Sequence, residues 1–244
     1  MKMPSFKMQL AGFLVVFAVG LSLVFWEASL LIALLIAVGS ALFFDAVAVF
    51  FKTQKVKFSE SALISGLIIG FVLSSAQPWW IFSAAVFFTI ASKHILCWNH
   101  KHLLNPAAFG IFLTVIIFKA YIAWNGADLW YVLVPFGIYF TWKVRKLEMA
   151  GVYFLVGGLL SVAEAFLKRE SPSLSFLGDQ NFFFIFIILI EPKTTPIRKT
   201  GKLLFGAGVA AGVFLLNAMG VPMRAELYCL LAFNLIVPFL NKLP

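Results

Sequence analysis

The sequence has no long polar stretch and little charge. Charged residues make up 12% of the 244 residues and hydrophobic ones 62%, whereas soluble domains carry roughly 25% charged residues. The longest segment suited to water, residues 168–181, is too short for a folded domain outside a membrane. A chain this apolar needs lipid as its solvent, so we expect a single integral membrane domain over residues 1–244.

Cysteine is also scarce. Cys97 and Cys229 are the only two, and they form no C-x-x-C pair. Two cysteines are too few for an iron–sulfur cluster held by this chain alone. We expect both to be small, buried apolar residues. The N-terminal apolar run lacks an A-x-A cleavage site, so we expect it to be a retained first helix.

What is present is a series of apolar runs. A helix needs about 20 apolar residues to cross the hydrocarbon core, and on this basis the sequence predicts an all-α, polytopic fold of about ten transmembrane helices. We place the crossings near residues 9–26, 28–51, 61–76, 78–97, 106–124, 127–142, 149–167, 181–192, 203–218 and 225–241.

The positive residues orient these crossings. With both termini in the cytoplasm, 15 of the 19 Lys and Arg residues fall on the inner side, as the positive-inside rule requires. We therefore interpret the net charge of +9 as a topology signal that also contacts lipid head groups, and not as a nucleic-acid site. The expected location is the cell (inner) membrane.

Two of the predicted crossings are short. The third is apolar from Ala62 to Leu73 and ends at Gln77-Pro78, and the eighth is apolar from Phe182 to Ile190 and ends at Glu191-Pro192. Short, proline-interrupted segments in matching positions indicate two inverted five-helix repeats, residues 1–125 and 126–244, with broken third and eighth helices and a site between the halves. The alternative is two ordinary short helices in a locally thinned membrane.

Two inner-side segments carry the candidate ligand-binding residues. The first contains His102, Asn105 and Pro106, where an Asn-Pro helix start could attract an anion or could simply cap the helix. The second runs from Glu191 to Thr195. A carboxylate near the membrane is a functional candidate by default, although Glu191 could also form an ion pair with Lys193.

Other polar residues have simpler alternatives. Asp45 lies inside the second crossing and is either an ion- or proton-path residue or a partner in an ion pair; we favour the structural interpretation. His94, His100 and His102 could ligate a metal or haem, but their positions at the inner boundary favour solvated interfacial histidines.

Four motifs resemble one family. Ser92-Lys93 with Asn105-Pro106-Ala107 resembles the S-K…N-P-A motif of the NqrB/RnfD family, the membrane subunits of Rnf electron-transport complexes and of the sodium-pumping NADH:quinone oxidoreductase. Glu191–Pro196 and the following T-G-K-L-L-F-G resemble that family's D/E-P-x-T-[ST]-P and T-G-[KR]-x-x-[FY]-G motifs. The end, from Glu226 through Asn234 to Pro238, is similar to its closing pattern, and Ser65-Gly66 fits its short third helix.

The resemblance implies a membrane subunit that relays electrons through flavin between a reduced nucleotide or ferredoxin donor and an acceptor. The family's FMN is esterified to threonine in S-G-A-T, a motif absent here, so any flavin (FMN or riboflavin) would be noncovalent. It implies ligand-lining roles for His102, Asn105, Pro106, Glu191, Lys193, Thr194 and Thr195. We also expect partners, either other subunits of a redox complex or a flavin reductase. The alternatives are a small-solute (flavin or urea-like) transporter or channel, and a scaffold subunit.

Overall fold

The computed structural model describes residues 5–55, 58–98, 101–169, 180–221 and 225–244. The chain divides into two compact units, Met1–Gly126 and Ala127–Pro244.

The first unit is helical with one short hairpin. Its helices are α1 (Phe6–Phe25), α2 (Ala28–Thr53), α3 (Glu60–Val72), α4 (Trp79–Ile95) and α5 (Pro106–Phe118). Between α4 and α5, strands β1 (Cys97–Trp98) and β2 (Lys101–His102) pair antiparallel, with Cys97 opposite His102. The sequence did not predict this hairpin, because two-residue strands leave no periodicity to detect.

Within the first unit, helices two positions apart run side by side. The α1 helix packs along α3, with Ser5 donating to Glu60 at one end and Phe17 stacked on Phe71 further along. The α2 helix packs along α4, and a 3.0 Å hydrogen bond joins Ser40 to Ser83. The α4 helix also packs against α5. The core of the unit therefore lies between these helix pairs.

The third helix is short, and its C-terminal end is closed by another segment of the chain. It has 13 residues, so it rises about 20 Å against a hydrocarbon core of about 30 Å. Its last residues, Phe71 and Val72, are fully buried, and so is Leu73, which follows the helix. Residues 121–125 supply the missing partners, since the backbone N–H of Ala123 donates to Val72 O and that of Asn125 donates to Phe71 O.

The Asn125 side chain completes this closure. Its amide donates to Phe71 O at 2.9 Å and to Leu73 O at 2.8 Å. Buried carbonyls at a helix end need such partners. The same pairing explains why α5 ends at Phe118, whereas the sequence predicted a crossing that continued to residue 124: residues 121–125 pair with α3.

The second unit has a similar order of elements. Its helices are α6 (Trp130–Lys143), α7 (Leu147–Leu167), a π-helical segment π1 (Phe184–Ile188), α8 (Lys199–Ala218) and α9 (Ala225–Leu240). The α6 helix contacts π1, α7 packs along α8, and α8 packs against α9. At Gly206, a Cβ would lie 2.4 Å from Met149 O, so α7 and α8 meet backbone to backbone.

The π1 segment occupies the predicted eighth crossing. Asn181 begins it, because its side-chain oxygen accepts the N–H of Phe184 at 2.9 Å. The N–H of Leu189 then donates to Phe184 O, five residues earlier, which is the π-helical spacing. The π1 segment ends at Ile188, and Pro192, which has no N–H, cannot extend it beyond the turn that follows.

The surface of these helices is apolar. Within the described part of the chain, four helices are long and apolar enough to cross a membrane: α1, α2, α7 and α8. The shorter α3, α5 and α9 are also apolar. Large apolar side chains face outward, among them Leu35, which is 72% exposed, and Val16, also 72% exposed. Water would penalise this much exposed apolar surface, whereas lipid does not.

Candidate functional site

The Asn105 turn, defined here as residues 102–106, begins α5. The Asn105 side chain is 2% exposed, and its oxygen accepts the N–H of Ala108 at 3.0 Å. Pro106 occupies the first helical position, where its missing N–H costs nothing. Helix capping, one of the two interpretations of this motif, is therefore present. The side-chain oxygen of Asn105 is engaged in this hydrogen bond.

This helix start is wedged against α4. A Cβ at Gly110 would lie 1.9 Å from Thr89 Oγ1 and 2.4 Å from Ala85 O, so only glycine fits there. Pro106, Ala107 and Ala108 are buried as well. The start of α5 is consequently buried within the protein.

The hairpin next to the turn places a thiol beside a histidine. Cys97 donates to Lys93 O at 2.8 Å and lies 3.3 Å from His102 Nδ1. Cys97 is exposed, which corrects the expectation that both cysteines are buried; Cys229 is buried. His100 lies outside the described residues, and among those described no cluster of three or more His, Cys, Asp or Glu could hold a metal.

The Glu191 loop, residues 191–196, follows π1 in the second unit. Its first residue anchors it, since Glu191 O accepts the Thr195 hydroxyl at 2.7 Å. Asn234 of α9 donates its side-chain amide to Thr194 O at 3.0 Å. Thr194 and Thr195 are each 2% exposed, and Asn234 is fully buried. The loop is thus an ordered, buried polar structure despite lacking regular backbone geometry.

The end of the loop is held from two other directions. The buried Lys146 ammonium donates to Pro196 O. Just beyond, the N–H of Ile197 donates to Asn241 Oδ1 at 2.8 Å. Residues distant in sequence therefore fix the path between Glu191 and α8.

One hydroxyl in the loop has no partner. Thr194 Oγ1 is buried, and it forms no hydrogen bond with any described residue. An unmade buried hydrogen bond costs about 1–3 kcal/mol, so this atom is suited to a polar group of a bound molecule. Lys193 beside it is exposed and Glu191 is half-buried. These residues offer a free hydroxyl flanked by charged side chains, an arrangement that suits a neutral hydrogen-bonding group.

The predicted site residues thus form two groups. His102, Asn105 and Pro106 lie together in the first unit, and Glu191, Lys193, Thr194 and Thr195 share one loop in the second. Sequence reasoning missed Lys146, which it counted only as a basic loop residue. No local signal identifies Lys146, because its contact with Pro196 spans 50 residues.

The helical fold and the polar residues in its short, interrupted elements define the class of protein. This is a multi-pass helical membrane protein in which two short, interrupted elements carry buried polar groups. The chain belongs to the NQR2, RnfD, RnfE family, whose sequence profile matches residues 5–138 and 130–244.

Three relatives are each named as the D subunit of an ion-translocating oxidoreductase complex. The protein from Marinobacter nauticus is 23% identical over 253 residues, covering 75% of this chain and 72% of its own. That of Buchnera aphidicola subsp. Baizongia pistaciae is 21% identical over 278 residues, covering 78% of each. That of Buchnera aphidicola subsp. Schizaphis graminum is 29% identical over 106 residues, covering 41% of this chain and 30% of its own.

Proposed function

We propose that this protein is the membrane subunit of an Rnf-like electron-transport complex. It relays electrons between a reduced nucleotide or ferredoxin donor and an acceptor, coupled to ion movement. The observation that carries the proposal is the family match along nearly the whole chain. The relatives' name, which is that of an ion-translocating oxidoreductase component, supports it over long alignments.

The name of these relatives also bears on the alternative of a solute transporter. Both relatives that cover most of this chain are named as parts of an oxidoreductase complex, and neither is named as a solute transporter. The transporter alternative is therefore not favoured. The same name supports other subunits of a membrane redox complex as partners, with a flavin reductase as a second candidate.

The proposed topology has ten crossings in two inverted five-element halves, with both termini in the cytoplasm of a cell with an inner membrane. Within each unit, the first element contacts the third, the second the fourth, and the fourth the fifth, which supports a repeat. In each unit the second and fourth helices run parallel, as alternating crossings require. The α2 and α4 helices contact each other at Ser40–Ser83 and, further along both, at Asp45–His94. The α7 and α8 helices contact each other at Glu148–Lys202 and, further along both, at Tyr153–Gly206. Five is an odd number, so the second half enters from the opposite side.

The proposed cofactor is a noncovalent flavin, FMN or riboflavin. When bound, it would supply one- and two-electron transfer in the membrane. Thr194 would hold the polar edge of the flavin with its free hydroxyl, and Glu191, Lys193 and Thr195 would line the same loop. The Lys193 ammonium lies next to this hydroxyl in sequence and would favour negative charge there. His102, Asn105 and Pro106 are the proposed lining residues of the first unit.

The first experiment is a visible spectrum. The full chain, purified in mild detergent from riboflavin-supplied cells, should show flavin bands that acid denaturation releases into the supernatant. Colourless protein after gentle handling would contradict the flavin proposal. Flavin that stays attached after denaturation would instead indicate a covalent linkage and contradict the noncovalent one.

A matched pair of variants tests the loop. Thr194→Val removes a buried hydroxyl and keeps the side-chain shape, whereas Thr200→Val removes an exposed one on α8. Losing one hydrogen bond of about 0.5–1.5 kcal/mol should weaken flavin binding by roughly two- to tenfold in Thr194→Val only. Equal flavin affinity in the two variants would remove Thr194 from the site.

A further inference from the structure

The first unit contains a buried carboxylate on α2 that is not among the proposed flavin residues. Asp45 is 6% exposed on α2. It lies seven residues before Lys52, about 10 Å along the helix axis. A buried carboxylate is costly without a partner and marks proton or ion paths in membrane proteins.

The partner is His94 of α4. Its Nε2 lies 3.5 Å from Asp45 Oδ1, slightly beyond hydrogen-bonding distance. This nitrogen is buried and has no hydrogen-bond partner within the described part of the chain. A small side-chain rotation would therefore close the pair. The histidine and the carboxylate come from different helices, so packing of α2 along α4 brings them together.

The other nitrogen of His94 fixes its tautomer. Nδ1 lies 3.2 Å from Lys52 Nζ. A lysine ammonium can only donate, so Nδ1 accepts and the ring proton of the neutral histidine sits on Nε2, facing Asp45. The polar chain thus runs from the exposed Lys52 ammonium through the His94 ring to the buried Asp45 carboxylate.

The surroundings of His94 contain few other charges. The titratable side chains of α4 and the elements packed on it, other than His94, are Asp45 and Lys52 on α2, Glu60 on α3, Cys97 on β1 and Lys93 on α4 itself; α5 has none. Three of these are engaged elsewhere. Lys93 donates to Ser61 O at 2.9 Å, Glu60 accepts from Ser5, and the Cys97 thiol donates to Lys93 O.

We propose that Asp45 and His94 form a proton-uptake site, in which His94 passes protons from the water at the Lys52 end of α2 to the buried Asp45 carboxylate. When Lys52 moves away, Nδ1 takes a proton from water. Nε2 then gives its proton to Asp45, which becomes a neutral carboxylic acid, and the histidine is neutral again with its ring proton on Nδ1. The ligand of the site is the proton itself, and the site needs no bound flavin.

Infrared difference spectroscopy on the full chain in lipid nanodiscs tests this. A drop in pH should produce the carbonyl band of a protonated carboxylic acid in an apolar site. Glu226→Gln serves as the background, because Glu226 on α9 is a second carboxylate with a buried oxygen, and in that background Asp45→Asn should abolish the band. Glu164→Gln, which removes a partly exposed carboxylate paired with Lys168 at 2.7 Å, should keep it. A band that persists in Asp45→Asn, or that disappears in Glu164→Gln, overturns the assignment to Asp45.

The kinetics of the band test the role of His94. After a pH jump, His94→Gln should slow its appearance by on the order of 100-fold, the lower range for a positioned proton-transfer group. Lys52→Ala should accelerate it, because Nδ1 then meets water directly. Unchanged rates in both variants would reduce the pair to a structural contact. These two variants retain Asp45, so they keep the test decisive even where Asp45→Asn does not fold.

Discussion

The closure of α3 by Asn125 leads to the most demanding prediction. Asn125→Ala removes an amide that donates to Phe71 O and to Leu73 O. Phe71 O keeps the backbone N–H of residue 125 as a donor, at 2.7 Å. The Leu73 carbonyl, which is buried, loses its side-chain donor with nothing to replace it.

The magnitude follows from these two bonds. A buried carbonyl left without a partner costs about 1–3 kcal/mol, and the lost bond to Phe71 O adds about 0.5–1.5 kcal/mol. We expect a loss of about 2–4 kcal/mol in the free energy of unfolding. For a chain of this size, that lowers the melting temperature by roughly 5–15 °C. The matched control is Asn217→Ala, which removes an exposed asparagine from α8 and should change little.

A thiol-reactive dye can follow the melting of α3 itself. Cys97→Ser and Cys229→Ala remove the native thiols, and Val72→Cys then places one fully buried thiol in α3. Dye reaction on heating reports exposure of that thiol. If Asn125→Ala and Asn217→Ala melt within one degree of each other, the closure by Asn125 does not stabilise α3.

Two further predictions concern helix contacts and the Glu191 loop. Gly110→Ala should lower the free energy of unfolding by about 1–3 kcal/mol, because the new Cβ would lie 1.9 Å from Thr89 Oγ1 of α4. The control is Gly39→Ala, whose Cβ would meet nothing within 4 Å and which should be neutral or slightly stabilising. Thermal melting compares the two variants, and equal melting temperatures would contradict the close contact at Gly110. Asn234→Ala should remove the hydrogen bond to Thr194 O and loosen the Glu191 loop. We expect faster limited proteolysis near residue 193 at unchanged helicity, with the exposed Asn217→Ala as the control. Unchanged cleavage would show that Asn234 does not hold the loop.

Much of the helical framework could be predicted from hydropathy. Long apolar runs predicted α1, α2, α7 and α8 because a spanning helix leaves a strong local signal. The end of α5 could not be predicted in the same way. Residues 119–124 are apolar enough to continue a helix, and only their pairing with α3, some 50 residues earlier, takes them out of it. Tertiary pairing of this kind leaves no mark in a local window.

The candidate sites likewise combine features that the local sequence predicts with features that depend on tertiary packing. Asn105-Pro106 is a local capping motif, and the structure has that cap. Asp45 carried a local signal as an intramembrane carboxylate, but its partner did not: the sequence favoured a solvated interfacial role for His94, whereas this side chain faces Asp45. Side chains 49 positions apart meet only through helix packing, so neither can be assigned from the sequence around it.

The closure of α3 also constrains how the protein is made. During synthesis, the carbonyls at the C-terminal end of α3 lack these donors until some 50 further residues, up to Asn125, have been made. Until then, this short helix has carbonyl groups at its C-terminal end without hydrogen-bond partners, which the hydrocarbon core does not tolerate. We therefore expect the third helix to settle in the membrane late, together with the segment that follows α5.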